Sequence, residues 1–509
     1  MTDHPLKPVS GAQPPPAALP LEQLIAQRRE KLNRLTQAGI NPYPYHYDRT
    51  HTISDLLKEF QDLSHETPSQ TQVSCAGRIM TMRDMGKSCF AHISDGPDRV
   101  QLYVKKDVVG EDAYRFFQKD MDLGDFIGVE GSMFRTKTQE LTIRASKITL
   151  LSKALRPLPE KFHGLRDPET RFRMRELDLA TNSSIQQLFR RRSRLIASLR
   201  QTLYDEGFLE VETPLLQAQA GGAAARPFET FHNALQTKLF MRIAPELYLK
   251  RLLVGGMERV FEIGRVFRNE GVDTKHNPEF TLMEAYQAYA DYNDMMKLTE
   301  LLIANAAETI QGGDSLLVHD RPLSLQRPFR RATLTDLFKQ HAGHDVIAAW
   351  KDGRLRSVAQ ELHVGFDENT PDHKVFDRIF DAKVKMHLWD PTFVLDYPVE
   401  ISPLAKMHRS EPGLVERFEL YIAGDEIANA YSELNDPIDQ RQRMEKQAAL
   451  KKSGDEEVET ADESFLTALE HGMPPAGGLG IGIDRLAMLL TGQTSIREVI
   501  LFPLLKPEN

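Results

Sequence analysis

The sequence predicts an α+β protein in two folded parts, a small β-barrel followed by a larger domain built on an antiparallel sheet flanked by helices. Three observations predict it. Residues 73–151 break into about five short runs of strand character, VSCAGRIMTMR, CFAHIS, RVQLYV, DFIGVEGSMFRT and ELTIRASKITLL, separated by Gly, Asp and polar turns. From about Ser184 the apolar period lengthens to that of a helix, and strands and helices follow in mixed order. A chain of 509 residues is also too long for one ordinary core, so two or more domains are expected.

Composition narrows the class. The chain is 41% hydrophobic and 27% charged, and no apolar run approaches the roughly 18 residues a membrane span needs. A soluble protein with no membrane partner is expected. Cys75 and Cys89 are the only cysteines, and the N-terminus lacks the apolar core of a signal peptide, which argues against a secreted disulfide framework and for a cytoplasmic protein. A net charge of -9 is not the footprint of a nucleic-acid binder, so any RNA contact must use local patches.

Taken in order, residues 1–20 are rich in Pro and Ala and are expected to be a disordered lead. Residues 21–64 form a helical segment, in which Leu21, Leu24, Ile25, Leu32 and Leu35 fall near helical spacing among Arg and Lys, as in a basic amphipathic helix. The barrel occupies 65–152. A helical stretch, Glu111 to Lys119, falls between its third and fourth strands, the order of an OB-fold, a barrel that often binds nucleic acid. Residues 153–180, with Pro and charge but weak periodicity, read as a linker. The larger domain, 181–509, opens with a helix from about Ser184 to Glu206, its stripe Ile185, Leu188, Leu195, Leu199 and Leu203, and Gly207 as its stop. The strand FLEVETP follows. Later strands, LFMRIA, RVFEIGRVFR, EFTLMEAYQAYA, RFELYIAG and EIANAYSEL, set polar residues among apolar ones, as a sheet lining a polar pocket requires. Two helical insertions, about 330–385 and 437–470, carry no evident chemistry.

Two segments carry chemistry. FEIGRVFRNEG, Phe261 to Gly271, puts Arg265 and Arg268 at a strand end before a polar loop and HNPEFTLMEAY, and an arginine fork there suits an anionic oxygen. GGLGIGIDRLAML, Gly477 to Leu489, runs through small residues into Asp484, Arg485 and a helix, and its glycines let something flat approach the backbone. Alone, the first could be a surface ion-pair cluster and the second a tight strand-to-helix join.

Together they resemble a known family. FRNEG with HNPEF is similar to motif 2 of the class II aminoacyl-tRNA synthetases, GLGIGIDR to motif 3, and the helix ending in LEVETP to motif 1. GGAAARPFET, APELYLKRL, ISPLAK and EIANAYSELNDP resemble the lysyl enzymes rather than the aspartyl or asparaginyl ones, and the likeness runs from about Leu21 to the C-terminus. The resemblance implies activation of lysine with ATP, transfer to tRNA(Lys), and a homodimer formed through the motif 1 helix and strand. It implies that Arg268 holds the α-phosphate and the substrate carboxylate. Arg485 would reach the γ-phosphate and cover one side of the adenine, with Phe280 on the other side and Glu270 and His276 completing the ATP site. Gly222 and Glu246 would take the α-amino group of lysine, Asn429 would help with its carboxylate, and Glu284, Tyr286 and Glu433 would surround its ε-ammonium. Glu419 and Glu426 correspond to ligands of Mg²⁺, of which up to three ions per subunit are expected. Strict alternation puts Asn429, Tyr431 and Glu433 on one face, but Glu426 has the opposite parity and needs a turn or bulge to join them.

In the barrel, Phe90, Gln101 and Glu140 fall where the lysyl enzymes read anticodon uridines, by stacking and by base-edge hydrogen bonds. The basic helix and the Arg190 to Arg194 cluster are further candidates for RNA phosphates, or else solvated helix faces. Two positions depart from the family pattern: Glu176 stands where Tyr is usual, and Gln139 replaces a turn glycine. Two rival readings are a relative that transfers lysine to a protein, which would lack the barrel, and a dead synthetase scaffold, which would have lost Arg268, Arg485 or the glutamates.

Overall fold

The structure, a computed structural model, describes residues 19–65, 69–159, 165, 167–452 and 462–508. All but the last two residues of the proline-rich lead, and residues 453–461 of the second insertion, lie outside them. Two compact units divide between Gln187 and Leu188.

In the first unit the strands Gln72–Asp84, Ser88–Asp95, Asp98–Lys105, Leu141–Ser152 and Phe126–Arg135 close, in that order, into a barrel. Alternation explains its lining: Val73, Cys75, Cys89, Ala91, Ile93, Val100, Leu102 and Val104 point inward to one apolar core, capped by Phe117 from the helix Glu111–Lys119. The basic helix Leu21–Gln37 packs on this barrel, which decides the role of several of its cations. Arg28 is buried and donates to the carbonyls of Leu123, Ala154 and Arg156 at 3.0–3.1 Å, while Lys31 pairs with Asp122 at 2.7 Å and Arg34 with Asp120 at 3.1 Å. These three hold the helix down and are spent before any RNA arrives. The stretch expected as a linker contains two short helices, Pro168–Arg173 and Arg175–Thr181, the first capped by Asp167. Glu176 lies exposed on the second.

The second unit is built on eight strands in the order Arg330–Thr333, Thr392–Pro398, Leu414–Ile422, Asp425–Ser432, Ala476–Gly482, Glu279–Ala288, Arg259–Phe267 and Leu209–Glu210. The expectation of an antiparallel sheet holds for the six central strands only. Both edge strands run parallel to their neighbours, because each reaches the sheet from a separate helix-bearing segment rather than by a hairpin. LFMRIA does not join this sheet; Thr237–Met241 is the middle strand of a small three-stranded one.

One face of the large sheet presents Phe261, Met283, Ala285, Phe418, Leu420, Ala428, Ala430, Leu479 and Ile481 to a core shared with the helices Tyr292–Gln311 and Ile483–Thr491. The stripe Leu188, Leu195, Leu199 and Leu203, from the helix Ser183–Asp205, belongs to this same core. It is therefore intrachain packing, and its apolar pattern is no sign of a subunit interface. The first insertion folds as helices Leu334–Ala342, Val346–Lys351, Leu355–Glu361 and Asp372–Lys383 around an apolar cluster that they share with Val394, Tyr397, Val415 and Tyr421 of the large sheet.

Candidate active site

The other face of the same sheet is polar, and strand register shows why. Residues directly opposite one another share a face, and Glu262, Glu284, Gly480, Asn429 and Glu419 form one cross-strand row over five strands. The next row is Tyr286, Gly478, Tyr431 and Arg417. Every second residue of these strands enters the apolar core, so the intervening ones must line whatever lies across the sheet.

Glycine makes the middle of the floor. A Cβ on Gly478 would sit 1.9 Å from Oε1 of Glu433 and 2.6 Å from Cε1 of Tyr286, so only Gly admits both side chains. The helix Glu246–Val254 adds Glu246 and Lys250, one turn apart, both buried. Lys250 Nζ lies 2.6 Å from Glu246 Oε1 and 2.5 Å from Glu433 Oε2. Gly222, at φ +88°, lies against Glu246, since a Cβ there would be 3.0 Å from the glutamate's own. Tyr286 donates to Glu284 at 3.1 Å and Tyr431 to Glu246 at 3.4 Å. The structure thus brings together Gly222, Glu246, Glu284, Tyr286 and Glu433 in one pocket, with Asn429 in the row of Glu284, its Oδ1 accepting from Arg417 at 3.2 Å.

The pocket is short of positive charge. Burial, with Glu246 nearby, holds the Glu284 carboxyl well above its usual range. Burial also pushes Glu433 up to about 8, against the pull of Lys250. Burial opposes the charge on Lys250 as well, yet the carboxylates of Glu246 and Glu433 outweigh it and keep the ammonium charged. Oε1 of Glu433 has no hydrogen-bond partner among the described residues. Lys250 was not singled out from the sequence. Its signal there was its place four residues after Glu246 on a helix, which puts the two side chains on one face.

Beside this pocket, Arg268 follows the strand Arg259–Phe267. Its Cζ lies over the Phe280 ring, 5.2 Å from the centroid, and its Nε donates to the Ile243 carbonyl at 3.4 Å. Its terminal nitrogens have no partner among the described residues. Burial draws its basicity down, against Glu270, Glu426 and Glu284. The expected fork with Arg265 does not form. Three positions apart on extended chain, the two arginines point to opposite faces, and Arg265 lies 3.5 Å from Glu279. Glu270 is exposed in the loop after Arg268.

Arg485, at the start of the helix Ile483–Thr491, donates to the Glu426 carbonyl at 3.0 Å and to its Oε2 at 3.2 Å, and stands 3.5 Å from Nε2 of His276. Its neighbour Asp484 is structural: buried, it accepts from the Thr281 amide at 2.7 Å and pairs with Arg192. Arg194 donates to the Thr309 carbonyl at 3.0 Å, so two arginines of the basic cluster are engaged within the domain.

Glu419 and Glu426 meet through the irregularity that their parity demands. Leu420 pairs with Ala428 but Tyr421 pairs with Glu426, so Ile427 is an extra residue and Glu426 returns to the face of Glu419. Burial and the charge of Glu426 raise the Glu419 carboxyl above its usual range, while Arg417 at 2.6 Å, Tyr397 at 3.0 Å and Tyr421 at 2.8 Å hold its oxygens.

On the barrel, Phe90 lies outside the core and stacks at a tilt on Tyr103, ring centroids 4.9 Å apart, with Phe134 6.0 Å further on. Oε2 of Glu140 accepts from Gln101 at 2.7 Å and Oε1 lies 2.8 Å from His92 Nε2. The three expected residues therefore share one outer surface. Gln139 takes φ 65°, the left-handed conformation that favours glycine.

Comparison with known proteins agrees with this geometry. Residues 167–506 match the tRNA synthetases class II (D, K and N), and 73–151 match an OB-fold nucleic acid binding domain of the tRNA anti-codon type. The chain is 50% identical to a lysine–tRNA ligase of Carboxydothermus hydrogenoformans over 96% of its own length and 99% of that protein's. It is 50% identical to one of Trichormus variabilis over 96% and 88%, and 50% identical to one of Staphylococcus epidermidis over 94% and 97%. With a carboxylate pocket and an unpaired arginine on one sheet face and likeness running through both units, the chain belongs to the class II tRNA synthetases, in their lysine–tRNA ligase branch.

Proposed function

We propose that this chain activates L-lysine with ATP to lysyl-adenylate and transfers the lysyl group to the 3′-terminal adenosine of tRNA(Lys). The observation that carries this reading is the charge of the pocket: three buried carboxylates, Glu246, Glu284 and Glu433, face one buried cation, Lys250, beside Arg268. A substrate with two ammonium groups balances such a pocket, and a neutral side chain leaves its charges unpaired. Glu433, Glu284 and Tyr286 would hold the ε-ammonium, Glu246 and the backbone of Gly222 the α-ammonium, and Asn429 the carboxylate.

In the first step an oxygen of the lysine carboxylate attacks the α-phosphorus of ATP and the bond to the bridging oxygen breaks, releasing pyrophosphate. Two anions must approach while a third departs. Arg268, its terminal nitrogens uncommitted, would bridge carboxylate and α-phosphate; Arg485 and His276 would take the γ-phosphate side, with Glu270 completing the nucleotide site and Phe280 packing on the adenine. In the second step a hydroxyl of the terminal adenosine attacks the lysyl carbonyl carbon and AMP leaves.

Glu419 and Glu426 fit magnesium, because a bulge puts two hard carboxylates on one face and phosphate oxygens and water can complete the shell. Bound there, magnesium would neutralise charge on the phosphates, and up to three ions per subunit are the family's expectation.

The outer surface with Phe90, Gln101 and Glu140 would read the anticodon. A cytoplasmic location suits two buried free thiols, and no described helix is long and apolar enough to cross a membrane. A homodimer is proposed on exposed apolar residues around the motif 1 strand, Tyr204, Leu209, Leu215 and Leu216, and light scattering at micromolar concentration should report twice 57.8 kDa. The activity itself is tested by lysine-dependent ATP–pyrophosphate exchange followed by charging of tRNA. Exchange driven better by aspartate or asparagine would overturn the assignment.

A further inference from the structure

Every buried charge must be paired or solvated, and a pocket holding three glutamates raises the question of what steadies them while no substrate is bound. The groups facing Glu433 are few. Glu246 and Lys250 come from the helix Glu246–Val254, Glu284 and Tyr286 from the strand Glu279–Ala288, and Tyr431 from its own strand, with Arg417 beside Tyr431 and Arg268 near Glu284. Of the described cations, Lys250 alone touches Glu433 and Glu246, and it touches both. Arg268 and Arg417 serve other partners, the Ile243 carbonyl and Glu419 respectively.

We propose that Lys250 is a positioning residue for lysine selection: its buried ammonium clamps Oε2 of Glu433 and Oε1 of Glu246, fixing both side chains in place and leaving Oε1 of Glu433 and Oε2 of Glu246 for the two ammonium groups of the substrate. The inference rests on the pocket taking lysine. Among the described residues Oε1 of Glu433 has no partner while its Oε2 meets the Lys250 ammonium as an ion pair, and Oε2 of Glu246 accepts only a long 3.4 Å bond from Tyr431, so each glutamate has one oxygen on Lys250 and one available. The side chain of Lys250 is fully buried and lies over the Tyr431 ring at 5.9 Å, so solvent does not compete with the clamp. The fixed cation also divides the pocket's selectivity. It favours the charged form of Glu433, which an ammonium group of the substrate then meets, and it repels a third cation.

The step can be followed through pH. Glu433 already resists ionisation in its buried place even with Lys250 present. Removing the ammonium raises the carboxyl further, so at neutral pH it stays protonated and neutral, and a higher pH is needed to restore the charge. The test is Lys250→Met alongside Lys250→Arg, with lysine KM, ATP KM and kcat measured by pyrophosphate exchange from pH 7 to about 8.8, and thermal melting of each protein. Lys250→Met should raise lysine KM at least tenfold at pH 7, with ATP KM unchanged and the defect shrinking as pH rises. Lys250→Arg should keep the wild-type pH dependence even if its bulk lowers kcat.

A lysine KM unchanged at every pH in a folded Lys250→Met protein would overturn the proposal. So would a defect that is independent of pH, or that moves ATP and lysine KM together, since both are marks of a structural residue. If Lys250→Met does not fold, a Lys250→Arg protein whose lysine KM acquires a new pH dependence would refute the clamp, and one that keeps the unaltered profile supports it. Failure of the underlying reading looks different: the unaltered protein would then show no lysine-dependent exchange at all.

Discussion

Single side chains decide what the pocket accepts. Glu433 is enclosed, carries an oxygen with no hydrogen-bond partner among the described residues, and lies against Gly478, where any side chain would displace it. A hydrogen bond to a charged group is worth about 1.5–3 kcal/mol, so Glu433→Gln should raise lysine KM by roughly one to two orders of magnitude while ATP KM stays put. An unchanged lysine KM would remove Glu433 from the site. Gln139 is informative in another way. It holds a left-handed conformation that costs a non-glycine residue about 1–2 kcal/mol, fixed by its amide donating to Thr136 at 2.9 Å and its carbonyl accepting from Arg135 at 2.8 Å. Gln139→Gly should therefore raise the barrel's stability by about 0.5–1 kcal/mol after the entropy glycine adds to the unfolded chain. Chemical denaturation checks it, and a lower midpoint would mean that the Gln139 side chain makes a compensating contact.

Strands and helices show where sequence reading succeeds and where it stops. Alternation alone assigned Asn429 and Tyr431 to one face, and it showed that Glu426 needed a bulge, because side-chain period is local information. The bulge's position at Ile427 was not legible, since it depends on where a second strand places Leu420 and Tyr421. The same limit explains the helix Ser183–Asp205. Its stripe announces a buried face, but whether that face meets its own domain or another subunit is a tertiary fact, and here it meets the core. The period of two also excludes the fork of Arg265 with Arg268, since residues three apart on extended chain point to opposite faces. The motif segments fared better, as short runs whose residues touch one ligand must stay close in sequence. The bulge also carries a prediction. It brings two carboxylates to one face, so Glu419→Gln with Glu426→Gln should increase the Mg²⁺ concentration needed for half-maximal exchange. Each loses a charge but keeps its volume, and an unaltered magnesium titration would reject these two as ligands.

At the scale of the whole chain, the residues proposed for chemistry and those proposed for recognition fall in separate compact units. All the residues proposed for lysine, ATP and magnesium lie after Gln187, and the aromatic surface of the barrel lies before it. Two units with separate cores should be separable by mutation, because changes at distant sites that share no partners act independently. Phe90 is the residue to use. It is partly exposed beside Tyr103, whereas its neighbours Cys89 and Ala91 fill the barrel core, so shortening it opens no internal cavity and should cost little stability. Stacking of a base on an aromatic ring is worth about 1–3 kcal/mol, and Phe90→Ala should reduce kcat/KM for tRNA charging by roughly one to two orders of magnitude. Lysine-dependent pyrophosphate exchange, which needs no RNA, should stay within error of the unaltered protein. Exchange, charging and melting measured on one preparation separate the possibilities. Normal charging would take Phe90 out of anticodon recognition, a charging loss matched by early melting would make it a support of the barrel, and a loss of exchange as well would show that the two units do not act independently.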